Sequence, residues 1–207
     1  MQEVPFSVAR ILEFGTTAHA NTKCTTWRAS GAEETTFAEI GARAAAFANA
    51  LHNDLGIDGD QRVSTLLYNC AEHIEVMFAV AAKGAVFNPL NVQLMADQIA
   101  YVVNHAESEV IVADPRLAEK LGKILPSCPS VRAVAFTGVA PLEDVASHLP
   151  PSVEVHSYEQ LLDGRPTAYP WPELPENTAA ALVYSTATTG APKGVAYSHR
   201  SLRSEER

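Results

Sequence analysis

Residues 62–88 read RVSTLLYNCAEHIEVMFAVAAKGAVFN. Residues 62–67 form a short apolar run that reads as a strand buried on at least one side. Asn69 with Glu72 can open a helix, whose apolar face is Ile74, Met77, Phe78 and Ala81. Gly84 closes it, and residues 85–88 read as a second short strand. A strand, a helix and a strand in this order make a right-handed crossover between parallel neighbours.

The alternation continues on both sides of this unit. Thr36-Phe37-Ala38-Glu39 is a capping-box pattern. After it Phe37, Ile40, Ala44, Phe47 and Leu51 recur at spacings of three and four, which is one apolar helical face. Gly56 and Gly59, with Asp58 and Asp60, punctuate the exit. Residues 97–106 are helical by the spacing of Ile99, Val102, Val103 and Ala106, and 110–113 form a compact apolar strand. Residues 116–125 read as helix and 131–137 as strand. The fold class that follows is α/β, a mostly parallel sheet covered by helices on both faces. After Pro150 and Pro151 the pattern weakens, and Pro166, Pro170, Pro172 and Pro175 mark a linker or surface crossing. Residues 179–185 form a last apolar strand. The expected division is an α/β subdomain over 1–164, a Pro-rich linker over 165–178, and a strand, a loop and the start of a helix over 179–207.

Composition narrows the function. The 207 residues are 47% apolar and 19% charged, a globular balance ample for a sizeable core. The formal net charge of -9 disfavours nucleic acid and anionic membranes as main partners. Cys24, Cys70 and Cys128 lie far apart, without metal spacing or a disulfide framework. Glu3, Pro5 and Arg10 stand where a signal peptide would carry its apolar core, and no uncharged apolar stretch is long enough to span a bilayer. The expectation is a soluble, cytoplasmic protein.

The chemistry concentrates in YSTATTGAPKGVAYSH, from Tyr184 to His199. Five of its first six residues carry hydroxyls, an excess for a plain turn. Glycines let backbone N–H groups point inward, hydroxyls donate to phosphate oxygens, and a lysine adds a compact positive charge. A P-loop is excluded on spacing, because Lys193 lies between Pro192 and Gly194 rather than in a Gly-Lys-Ser/Thr run.

Tyr184, Thr188, Thr189, Gly190, Pro192, Lys193, Gly194, Val195, Ser198 and His199 match the phosphate-binding signature of the adenylate-forming (AMP-binding) enzymes, which this stretch resembles. Upstream, residues 66–94 and 98–114 resemble the medium- and long-chain fatty-acid–CoA ligases. The resemblance implies that Mg-ATP activates a fatty acid as acyl-adenylate, and that coenzyme A then displaces AMP to give acyl-CoA. It assigns Ser185, Thr186, Thr188, Thr189, Gly190 and Lys193 to the ATP β- and γ-phosphates, with Tyr184, Gly194 and His199 beside the site, and ATP, Mg2+ and coenzyme A as cofactors. No metal ligand and no catalytic residue is assigned within this chain.

The sequence departs from the family pattern in three ways. Ser185-Thr186 keeps the hydroxyls of the usual Thr-Ser pair. Ala187 replaces a glycine, which matters only if that backbone needs a positive φ. The chain also stops soon after the motif, where the family continues into its ribose contacts, magnesium-binding glutamate and mobile C-terminal domain. The expectation is an N-terminal part without ligase turnover of its own. Two alternatives stay open: a non-catalytic phosphate-binding module or one half of a split enzyme, whose C-terminal half is separately encoded, and a synthetase that loads a carrier protein.

Other polar residues read more plainly. His105 suits the exposed carbonyls of a helix C-terminus. Ser198 is a candidate N-cap that turns His199 toward the loop. Asp58, Asp60, Glu72 and Glu75 read as solvated surface charges, and Glu119 with Lys123 as an i,i+4 pair.

Overall fold

The computed structural model describes residues 5–138, 140–185 and 191–203. In chain order, α1 (Val8–Ala18) leads to a hairpin of β1 (Lys23–Arg28) and β2 (Gly31–Thr36), then to α2 (Phe37–Asn53). The central unit is β3 (Arg62–Leu66), α3 (Ala71–Lys83) and β4 (Val86–Pro89). It is followed by α4 (Ala96–Ala106), β5 (Ser108–Ala113), α5 (Ala118–Ile124) and β6 (Ala133–Phe136). Then come α6 (Leu142–Ala146), β7 (Glu154–Ser157), α7 (Tyr158–Leu162), β8 (Ala179–Tyr184), β9 (Gly194–Ser198) and α8 (His199–Arg203).

The expected α/β architecture is present. The main sheet has the order β7-β6-β5-β3-β4-β8-β9, and every neighbouring pair is parallel except β8 with β9. Its period-two alternation splits the core in two. Val110 and Val112 of β5 face one layer with Val63, Phe47, Leu51, Val76 and Val80. Ile111 and Ala113 face the other, with Leu66, Ile99, Val103, Leu121 and Val134. Strands buried on both faces are mostly apolar, which is why residues 110–113 lack polar alternation.

Local signals set the helix ends. Thr36 N–H donates to Glu39 Oε2 at 2.8 Å and Glu39 N–H to Thr36 Oγ1 at 3.2 Å, a complete capping box. Gly84 ends α3 with φ 100°, a left-handed conformation that costs glycine nothing. The start of α3 differs from the sequence reading: its N-cap is Cys70, and Ala71 N–H is satisfied at 3.0 Å by Thr26 Oγ1 of β1. Residues 165–178 cross the α3 layer, where Lys83 Nζ donates to Tyr169 Oη at 2.7 Å and Leu174 lies against Gly84.

The reading of Glu72 and Glu75 as surface charges is corrected. They are 7% and 1% exposed. Glu72 accepts from Arg28 Nη2. Glu75 accepts from Arg43 Nε at 2.8 Å and from Tyr158 Oη at 2.9 Å, while Arg43 holds Glu159 with two hydrogen bonds of 3.0 and 2.7 Å. Burial pushes the Glu75 carboxyl above its ordinary range, and Arg43 pulls it back. Seen along α3 alone, both glutamates look solvated. Their partners arrive from β1, α2 and α7. Glu119 and Lys123 do form the expected exposed pair, at 2.7 Å.

Arg43→Ala should strand the Glu75 carboxylate. Because the Arg43 side chain is 32% exposed, the expected loss is about 2–3 kcal/mol, below the usual range for a fully buried pair. Urea unfolding measures it, and a loss under about 0.5 kcal/mol would class the pair with surface bridges. A Glu75→Gln change added to Arg43→Ala should recover part of the loss.

Candidate functional site

The site is a turn built by the last two strands. Phe87 of β4 pairs in parallel with Ala181 of β8, so β8 ends at the same edge as β3 to β6. The chain leaves β4 toward β5 but leaves β8 toward β9, and their carboxyl ends therefore diverge. That divergence is where open α/β sheets form ligand crevices. In the hairpin Val183 pairs with Val195 and Tyr184 with Gly194.

The neck of the turn is closed by hydrogen bonds. Ser185 N–H donates to Lys193 O at 3.0 Å, and Lys193 N–H donates to Ser185 Oγ at 3.3 Å. Lys193 is exposed and forms no ion pair among the described residues. Ser185 and Lys193 are thus brought together. Thr186, Ala187, Thr188, Thr189 and Gly190 lie outside the described residues. A hydroxyl and an uncommitted ammonium on one turn at the carboxyl edge of a sheet can hold an anion.

Tyr184 braces the neck. A Cβ on Gly194 would lie 3.0 Å from Tyr184 Cζ and 3.3 Å from its Oη, so the phenol end of the ring packs closely against this glycine. The Tyr184 hydroxyl and His105 Nδ1 share a hydrogen bond of 2.6 Å, and the two rings meet edge-on at 5.6 Å. Burial pushes the Tyr184 phenol above its ordinary range, and it stays protonated. His105 stands in the last turn of α4 as the sequence suggests, but its hydrogen bond to Tyr184 was not foreseen. The partner lies 79 residues away, and no local signal on α4 points to it.

His199, read as adjacent to the loop, has its ring buried at 1% exposure against the start of α1. Its Nδ1 accepts from Val8 N–H at 3.1 Å, satisfying one of the open donors of that helix. Ser198 does cap α8, with Ser201 N–H donating to its Oγ at 3.1 Å. No helix among the described residues is long and apolar enough to cross a membrane.

Known proteins share this fold. The profile of the family described as AMP-binding enzyme matches residues 15–206. The chain belongs to that family. It is 38% identical over 163 residues to a medium-chain-fatty-acid–CoA ligase of Ectopseudomonas oleovorans, covering 79% of this chain and 29% of the relative. It is 31% identical over 202 residues to a 3-methylmercaptopropionyl-CoA ligase of Ruegeria lacuscaerulensis, covering 97% and 36%. The crystal structure of an anthranilate CoA ligase in complex with anthranoyl-AMP superposes with a TM-score of 0.82 at 21% identity, over 96% of this chain and 36% of that one. The chain thus spans about a third of the length of these relatives.

Two outcomes follow from this geometry. Gly194→Ala should cost about 1–3 kcal/mol, the range for overpacking against a fixed ring. Thermal or urea unfolding reads the loss, which should shrink in a Tyr184→Leu background. Burial also holds the His199 imidazole below its ordinary value. The unfolded chain then takes up the proton first, so the stability owed to His199 is complete above the ordinary histidine value and drains as pH falls through it. His73, lowered by burial too, adds in the same direction. Urea midpoints should fall between pH 7 and pH 5, less steeply in His199→Gln. An equal slope in that variant would remove His199 from the account.

Proposed function

We propose that this chain carries the ATP-phosphate-binding part of an acid–CoA ligase. The proposed reaction is activation of a fatty acid to acyl-adenylate, followed by transfer to coenzyme A. The observation that carries it is the neck of the β8–β9 turn, where Ser185 and Lys193 meet at the carboxyl edge of the sheet within a phosphate-binding signature. The donor set fits phosphate: a serine hydroxyl, an ammonium that forms no ion pair among the described residues, and a turn rich in hydroxyls by sequence.

Mg-ATP supplies an activated adenylyl group and a pyrophosphate leaving group. The part of this chain is to hold that leaving group. Negative charge grows on the β- and γ-phosphates as the bond to the α-phosphate breaks, so fixed donors and a lysine favour the transition state over the ground state. Thr186, Thr188, Thr189 and Gly190 join Ser185 and Lys193 in this assignment by the motif. Tyr184 and Gly194 shape the neck. Coenzyme A as acceptor, rather than a carrier protein, is supported by the CoA-ligase names of the relatives. A cytoplasmic location belongs to the same proposal, supported by the free state of Cys24, Cys70 and Cys128.

Calorimetric titration with magnesium pyrophosphate and with Mg-ATP tests the reading. The chain should bind both, and Lys193→Ala should weaken each by about 10- to 100-fold, the scale of a charge-assisted hydrogen bond. Unchanged affinity in that variant, with its fold intact, would remove Lys193 from the phosphate assignment. AMP release that depends on added fatty acid is the measurement for the whole reaction.

A further inference from the structure

We propose that His105 is a positioning residue for the phosphate-binding neck, acting through Tyr184. This rests on the phosphate reading of the Ser185–Lys193 turn and extends it to a helix outside the motif. Four contacts form the chain of influence. His105 Nδ1 and the Tyr184 hydroxyl lie 2.6 Å apart. The Tyr184 ring sits against Gly194 so closely that a Cβ there would come within 3.0 Å of it. Gly194 pairs with Tyr184 across the hairpin and follows Lys193 directly. Lys193 and Ser185 are joined by two hydrogen bonds, of 3.0 and 3.3 Å.

A tyrosine ring held only by packing can tilt about its Cα–Cβ and Cβ–Cγ bonds. Tying its hydroxyl to a second element removes that freedom. The tie is anchored in turn, because the His105 ring also faces Tyr101 at 5.6 Å one turn earlier on α4. The pitch of the Tyr184 ring sets how closely β9 can approach β8 at Gly194. It therefore sets where the Lys193 backbone stands relative to Ser185. His105 is exposed, and its hydrogen bond and ring contact with the described neck both go to Tyr184. Its effect on phosphate binding must then vanish when the Tyr184 hydroxyl is gone.

A double-mutant cycle on the full chain, read by magnesium pyrophosphate affinity, tests this dependence. His105→Ala and Tyr184→Phe should each weaken binding by about fivefold, the scale of one hydrogen bond. Together they should weaken it by about fivefold again, not by the product of the two. His105→Gln, which can still bond the hydroxyl, should restore most of the affinity. Thermal midpoints of all five proteins separate this from unfolding, and if His105→Ala does not fold, His105→Gln and Tyr184→Phe complete the comparison. Multiplicative losses, or full affinity in His105→Ala, would overturn the assignment while leaving the phosphate reading intact. A wild-type chain that does not bind magnesium pyrophosphate would remove the phosphate reading, and this assignment with it.

Discussion

The parallel join of β8 onto β4, through Phe87 and Ala181, is the contact on which the candidate site depends. It brings a strand from beyond the Pro-rich crossing into the sheet started more than a hundred residues earlier. Ala180 and Ala181 are buried in the same core as Val76, Val80 and Phe87, so the small side chains of β8 let it lie close under α3. Because the pairing is parallel, the motif turn opens at the carboxyl edge, where the sheet's other loops also open. An antiparallel pairing would have sent Ser185 and Lys193 to the opposite edge.

Polar groups inside the molecule add specificity to an otherwise apolar frame. Asn88 Nδ2 donates to Ser64 Oγ at 2.9 Å and to Ser108 Oγ at 3.3 Å, and the two serine hydroxyls share a bond of 2.6 Å. This trio ties β4 and β3, paired at Asn88 and Ser64, to Ser108 at the start of β5, and a slip of register would break its hydrogen bonds. The Arg28, Arg43, Glu72, Glu75 and Glu159 network does comparable work between the β1–β2 hairpin and α2, α3 and α7. Such pairs add little net stability once desolvation is counted, but breaking one is costly.

Much of the frame was legible in the sequence because it rests on short-range rules. The apolar runs around Val63, Val86, Val110 and Val134 are strands buried on both faces, and such strands cannot hide their composition. The Thr36–Glu39 box and Gly84 act within four residues of themselves, so their positions were readable. The β1–β2 hairpin, with Trp27 79% exposed, carried no alternation strong enough to announce it. Glu72 and Glu75 were misread because their environment is set by residues 32 to 83 positions away. The motif named Ser185 and Lys193 as candidates, while nothing local to α4 pointed to the contact of His105 with Tyr184.

By itself the sequence determined the alternation of strand and helix, the two helix caps, and the chemistry gathered between Tyr184 and His199. These follow from periodicity, capping geometry and residue type, which are local. Only the tertiary structure decided that β8 lies beside β4, that His199 turns to α1, and that His105 meets Tyr184. Each of those is a contact between residues far apart in the chain. A contact of that kind forms only after the sheet has closed, when burial and hydrogen bonding between distant segments choose among partners that local rules leave equal.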